Sequence, residues 1–204
     1  FAGLLYGLPI DRQMEMQAGL FDIVNVYTVT GGITVTLLCF VHGLLFTALR
    51  TVGDLQERAR FTAQRLLFPL AFLLFAFSAM TVFMTDVFHV RGEILSATAA
   101  CGVIAFVLAG AFISKRKDGW AFSMSGLVIV LAIASVFMGL FPRVMISEID
   151  RAFNLTVYNA ASGPYSLKVM TIVAVTLIPF VLGYQMWSYY VFRKRVSEKE
   201  HLEY

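Results

Sequence analysis

The sequence predicts an all-α fold: a polytopic membrane helix bundle with five transmembrane helices. Three observations carry this expectation. Of the 204 residues, 59% are hydrophobic and only 14% are charged, against about 25% charged in an ordinary soluble domain, and the mean hydropathy is +0.78. Five stretches reach the roughly 20 mostly apolar residues that a helix needs to cross the hydrocarbon core. None of them shows the alternation of apolar and polar residues over roughly ten positions that a barrel strand would require.

The elements follow in order. FAGLLYGLPID is too short to span, since eight helical residues rise only about 12 Å, and it lacks the basic n-region and cleavage site of a signal peptide. Residues 1–20 are read as the end of a preceding helix and an outer loop, so the chain is expected to be the C-terminal part of a longer protein. A transmembrane bundle of four or five packed helices is expected over residues 21–195. Its spans are Val26–Leu49, Leu66–Thr85, Ile94–Ser114, Trp120–Phe141 and Val169–Phe192, with a cytoplasmic tail over 196–204.

Charge sets the orientation. Arg50, Arg58, Arg60 and Arg65 lie in the first connection; Lys115, Arg116 and Lys117 lie in the third; Arg193, Lys194, Arg195 and Lys199 lie in the tail. These are eleven of the sixteen basic residues, and the positive-inside rule places all three segments in the cytoplasm. The same distribution excludes a nucleic-acid footprint, because the basic residues are split among connections and have no base-stacking platform. The first connection, RTVGDLQERARFTAQR, is expected to begin as a helical extension with a solvated face. Pro69 falls near the start of the second span and Pro142 closes the fourth. Pro179 lies mid-span, where it frees the carbonyl of Val175 and should kink the helix. No strands are expected, and the long outer connection, about Arg143–Lys168, is read as a surface cap on the bundle.

The chemistry-bearing residues are few. His42 lies in LLCFVHGLLF, eight residues and about 12 Å from Arg50. An imidazole inside a span can serve as a ligand, a proton carrier or a packing group. Met186 lies at a similar depth and would complete a His–Met haem pair. His89 at the outer mouth and His201 in the tail cannot meet His42. The reading taken is a structural histidine that bonds a neighbouring helix. Cys39 and Cys101 fall within spans with no CxxC spacing and are read as buried free thiols. Asp86 and Glu93 bracket the outer end of the second span and are candidates for a proton path, set against simple solvation. Tyr184, Gln185 and Trp187 lie in an aromatic belt at the inner end of the last span, as partner contacts or as interfacial anchors. No catalytic or metal-binding constellation is complete.

The stretches FAGLLYGLPID, GGITVTLLCFVHGLLFTALRTVGDLQERAR and LTVYNAASGPYSLKVMTIVAVTLIPFVLGYQMWSYYVFRKR resemble subunit II of the cytochrome bd-type quinol oxidases. The likeness runs from residue 1 to about 195 and is most specific in the ALRTxGxLxERAR and NAASxPYSLKVMT signatures. The family's N-terminal helices, with the acid assigned to a proton channel, have no counterpart here. The resemblance implies a subunit built of two related helix bundles, with this chain as the tail of the first and the whole of the second. It implies a partner, subunit I, that carries two b-type haems, one d-type haem and the quinol-binding loop. The complex would oxidise quinol at the outer face and reduce dioxygen to water in a respiratory chain of the bacterial cytoplasmic membrane. Subunit II itself is haem-free in this family. A structural quinone and a small single-helix subunit occur in some members, and both stay open for this chain. The final helix is expected at the interface with subunit I, through Tyr184, Gln185 and Trp187. The alternative reading is half of a secondary transporter, with Pro179 in a broken helix, or a membrane scaffold.

Overall fold

A computed structural model of the chain describes residues 2–13 and 15–192. The basic tail residues Arg193, Lys194, Arg195 and Lys199, together with His201 and the tail over 196–204, lie outside the described residues. Among the described residues, five helices are long and apolar enough to cross a membrane: α3 (Val26–Arg50), α4 (Asp54–Met84), α5 (Val87–Ser114), α6 (Asp118–Leu140) and α7 (Pro164–Val191). Two short helices precede them, α1 (Ala2–Tyr6) and α2 (Leu20–Ile23).

Local chemistry explains where the helices begin. At α3 the Asn25 side chain accepts from the Thr28 amide at 2.9 Å, and the Thr28 hydroxyl accepts from the Asn25 amide at 3.0 Å. This reciprocal capping box satisfies two donors that a helix start otherwise leaves open. The turn before α4 passes through Gly53 at φ 80°, in the left-handed region where a Cβ is costly. Pro164 opens α7 at a position where its missing N–H is not needed.

Helices α3 to α6 pack as an antiparallel ring, α3 against α4 and α6, and α5 against α6 and α4. Their shared core has two layers. Leu38, Val41, Leu45, Ala63, Leu70, Ala105, Ile113, Ala121 and Val128 fill one half. Leu5, Tyr27, Val87, Leu95, Leu140 and Ile146 fill the other, which α1 helps to close. Small residues permit the close approaches, as expected where lipid supplies no hydrophobic drive between helices. A Cβ on Gly31 would lie 2.8 Å from the Phe77 ring, and one on Gly139 would collide with the Val87 side chain. Helix α7 is different: no residue along it is buried.

The structure corrects four expectations. The second span is not confined to Leu66–Thr85: α4 already starts at Asp54, so the charged stretch before the apolar run is part of the same helix. Nor is the face of that stretch fully solvated, because Ala59, Arg60 and Ala63 are buried. Strands do occur: β1 (Arg143–Met145) pairs antiparallel with β2 (Leu155–Thr156) across an irregular register. Finally, Cys39 and Cys101 are exposed rather than buried, because α3 and α5 turn those positions away from the ring. Pro179 sits inside a continuous α7, whereas non-helical backbone interrupts α5 at Arg91 (φ −135°, ψ 30°), a break without any proline.

Candidate functional site

Three polar clusters and one bare helix are the features with functional content. One end of the bundle carries the basic connections, Arg50–Arg65 and Lys115–Lys117. The other carries the β1–β2 hairpin.

At the basic end, the Arg60 guanidinium meets the Asp118 carboxylate as a two-pronged fork, Nε to Oδ1 at 3.0 Å and Nη2 to Oδ2 at 2.9 Å. Gln56 Nε2 also donates to Asp118 Oδ2 at 2.9 Å and to the Ala48 carbonyl at 3.1 Å. Glu57 accepts from Arg60 at 2.6 Å and from Arg116 at 3.0 Å. The pair itself is nearly sealed, with side chains 10% and 6% exposed. Every oxygen of Asp118 is therefore occupied, which is the condition under which a buried charge pair is tolerated. The cluster ties α3, α4 and α6 together and places both basic connections on one side. Sequence reading missed Asp118. The available signal was that it is the one acid in the turn KRKD.

In mid-bundle, His42 Nδ1 lies 2.7 Å from Ser125 Oγ of α6. The imidazole stacks on Phe122 at 4.4 Å between ring centroids, and its Cε1 covers Gly126 at the distance of ordinary contact. The sequence expectation of a bond to a neighbouring helix corresponds to this geometry. Met186, the other half of the haem-pair alternative, is exposed on α7. Among the described residues no group of three or more His, Cys, Asp or Glu side chains is placed to hold a metal ion.

At the hairpin end, Asp86 Oδ2 pairs with Arg143 at 2.8 Å and lies 3.7 Å from Arg151. Asp86 Oδ1 and Arg143 Nη2 are enclosed without a partner. A cavity of about 260 Å³ opens beside them, lined in part by Tyr6, Thr85, Asp86, Glu148 and Asp150. Backbone bonds stitch the chain start to the hairpin: the Leu8 amide to the Ile146 carbonyl at 2.9 Å and the Glu148 amide to the Leu8 carbonyl at 3.0 Å. Asp86 is thus in an ion pair, while Glu93, past the break at Arg91, is exposed. The two are not brought together.

On α7, Tyr184, Gln185 and Trp187 all face outward from the chain, the Tyr184 and Trp187 rings 6.4 Å apart. A tie to the bundle lies at the end of the helix, where Arg50 Nη1 donates to the Phe192 carbonyl at 3.3 Å.

The sequence profile of the family described as "Cytochrome bd terminal oxidase subunit II" matches residues 1–192. A Bacillus subtilis (strain 168) protein named "Cytochrome bd ubiquinol oxidase subunit 2" is 53% identical over 204 residues, covering 100% of this chain and 60% of that protein. The Escherichia coli (strain K12) "Cytochrome bd-I ubiquinol oxidase subunit 2" is 28% identical over 233 residues, with 98% and 62% covered. A Haemophilus influenzae "Probable cytochrome oxidase subunit 2" is 23% identical over 222 residues, with 93% and 58% covered. The chain spans about 60% of the length of these curated relatives. With the family profile running through α7 and five apolar helices in place, this membrane chain belongs to the cytochrome bd terminal oxidase subunit II family.

Proposed function

We propose that the chain acts as the haem-free supporting subunit of a quinol:dioxygen oxidoreductase, packed against a subunit I that carries two b-type haems and one d-type haem. The observation that carries the reading is α7. It is an apolar helix of 28 residues with no buried residue, in a family named for the second subunit of an oxidase. Lipid can cover its aliphatic part. The amide of Gln185 and the rings of Tyr184 and Trp187 gain more from a partner helix, where hydrogen bonds and close packing replace lipid contact.

The haem-free part of the reading is supported by His42. Its ring has Phe122 against one side and a hydroxyl on Nδ1, and no second histidine among the described residues shares its depth. These residues do not fit a resident haem, and no redox step is assigned to this chain. The same reading places the C-terminus in the cytoplasm and gives Asp86 and Glu93 a part in proton release at the opposite face. There the cavity beside Asp86 supplies room for water.

The test uses the full-length protein in its native membrane. Purification through a tag on this subunit, followed by a reduced-minus-oxidised spectrum, should show co-purified b- and d-type haem. Replacing Tyr184, Gln185 and Trp187 together by leucine should lower the recovered haem severalfold. Full recovery of an active, pigmented complex from that variant would remove α7 from the interface. A colourless wild-type preparation would remove the oxidase reading itself.

A further inference from the structure

Every residue from 157 to 187 is exposed, so the bare surface of α7 starts before the helix does. It takes in the turn that follows β2. That turn is nevertheless fixed in shape. Asn159 Oδ1 accepts from the Thr156 amide at 2.6 Å and from the Thr156 hydroxyl at 3.0 Å, and Asn159 Nδ2 donates to the Asn154 carbonyl at 3.1 Å. The Thr156 hydroxyl oxygen accepts in turn from the Tyr158 and Asn159 amides, both at 3.3 Å. The Ala160 amide closes the set on the Thr156 carbonyl at 3.0 Å. An asparagine that bonds the neighbouring backbone in this way holds a turn with no core beneath it.

A turn that is rigid but buries nothing of its own is preorganised for an outside surface. The rings of Tyr158 and Tyr165, which bracket it, are each 81% exposed, and large amphipathic rings are the side chains that protein interfaces favour. Between them Ala160, Ala161, Ser162 and Gly163 keep the side chains short, so another chain can approach the backbone closely. Ala161 and Ser162 make no hydrogen bond among the described residues. Such open backbone groups take water or the backbone of a second chain. Hydrocarbon does not cover them, because the apolar stretch of α7 starts only after Lys168.

We propose that residues 157–165 are the extramembrane end of the α7 contact surface and dock on subunit I, a proposal that rests on the placement of α7 given above. Tyr158 and Tyr165 seat against apolar side chains of the partner, and the backbone of Ala161 and Ser162 pairs with a short extended segment of it. Tyr165 and Tyr184 are 19 residues apart, about 28 Å along the helix, which matches the hydrocarbon thickness of roughly 30 Å. Helix α7 is then held at both membrane boundaries, by this turn at the hairpin end and by Tyr184, Gln185 and Trp187 at the basic end.

Photo-cross-linking of the full-length complex in native membranes tests this, with p-benzoyl-phenylalanine replacing Tyr158, Tyr165 or Tyr184 one at a time. After irradiation the Tyr158 and Tyr165 probes should each give an adduct that mass spectrometry maps to extramembrane residues of subunit I. Asn159→Ala, added to the Tyr158 probe, should cut its yield severalfold. Adducts from Tyr184 alone, or from Tyr165 and Tyr184 without Tyr158, overturn the docking turn and leave α7 at the interface. No adduct from any of the three overturns both. Adducts from Tyr158 and Tyr165 with none from Tyr184 uphold the turn and remove the other end of α7 from the interface. A Tyr158 adduct confined to lipid or to this subunit overturns the turn, and so does an unaltered Tyr158 yield in the Asn159→Ala variant.

Discussion

Arg60 and Asp118 are 58 residues apart in the chain, yet their charged groups meet as a two-pronged fork with almost no exposure to solvent. This contact fixes the register between α4 and α6 at the basic end. Breaking one half leaves a buried charge without its counter-charge, which costs about 3–5 kcal/mol. Asp118→Ala should therefore sharply reduce accumulation in membranes and lower the Tm of the purified complex. The double substitution Arg60→Met with Asp118→Leu should recover most of that loss, because an apolar pair of similar volume removes the desolvation cost on both sides. Thermal melts of the three variants check the order.

The bond from His42 to Ser125 is neutral and only part-buried. His42→Ala should leave both haem signatures of the assembled oxidase intact while lowering stability by about 1 kcal/mol. A reduced-minus-oxidised spectrum of the variant complex reads the first part and its melting curve the second. Loss of one haem band would make His42 a ligand.

Gly139 lets α5 and α6 close, since a Cβ there would collide with Val87. Gly139→Leu should cost about 1–3 kcal/mol by overpacking. Gly43, with open space around its Cβ position, should accept alanine with little change. Parallel measurements of membrane-inserted yield compare the two.

Asp11 gathers the loop after α1. The amides of Gln13 and Glu15 donate to Oδ1 at 2.8 and 3.0 Å, and Gln17 Nε2 donates to Oδ2 at 3.0 Å. The amide of Glu15 first, then Gln17, hold its carboxyl below the ordinary aspartate value of 3.8. A lowered native pKa means that the contribution is present above pH 3.8 and is lost as pH falls through the native value. The protection of the Gln13 and Glu15 amides, relative to their intrinsic exchange rates, should thus fall on acidification below that range, and Asp11→Ala should show the lowered protection already at neutral pH.

Much of this architecture can be read from composition. The apolar runs mark all five long helices, and the arginine and lysine pattern places two connections at the same end, where Arg116 and Arg60 reach Glu57 and Asp118. Helix starts were less legible. Hydropathy falls at Leu66, but the backbone of α4 is indifferent to hydropathy and continues back to Asp54. Arg60 was read as solvated because its neighbours in sequence are charged. Its neighbours in space include Ala59, Ala63 and the start of α6, where Asp118 supplies a buried carboxylate in addition to that of Glu57. The cysteines were misplaced for a related reason: a span of uniform hydrophobicity shows no preferred face. The hairpin of Arg143–Met145 with Leu155–Thr156 was too short to register as strand. The exposure of Tyr184, Gln185 and Trp187 was beyond any linear reading, since it depends on α7 standing off the ring.

The hydroxyls along the helices have a consequence for recognition. Thr30, Thr36, Thr47, Ser123, Thr171 and Thr176 each donate to the carbonyl one turn back on their own helix, at 2.7 to 3.0 Å. Toward hydrocarbon these side chains behave as methyl groups, and none can grip a stranger without first letting go of itself. Polar recognition along these helices is thereby left to side chains that are not folded back on their own backbone.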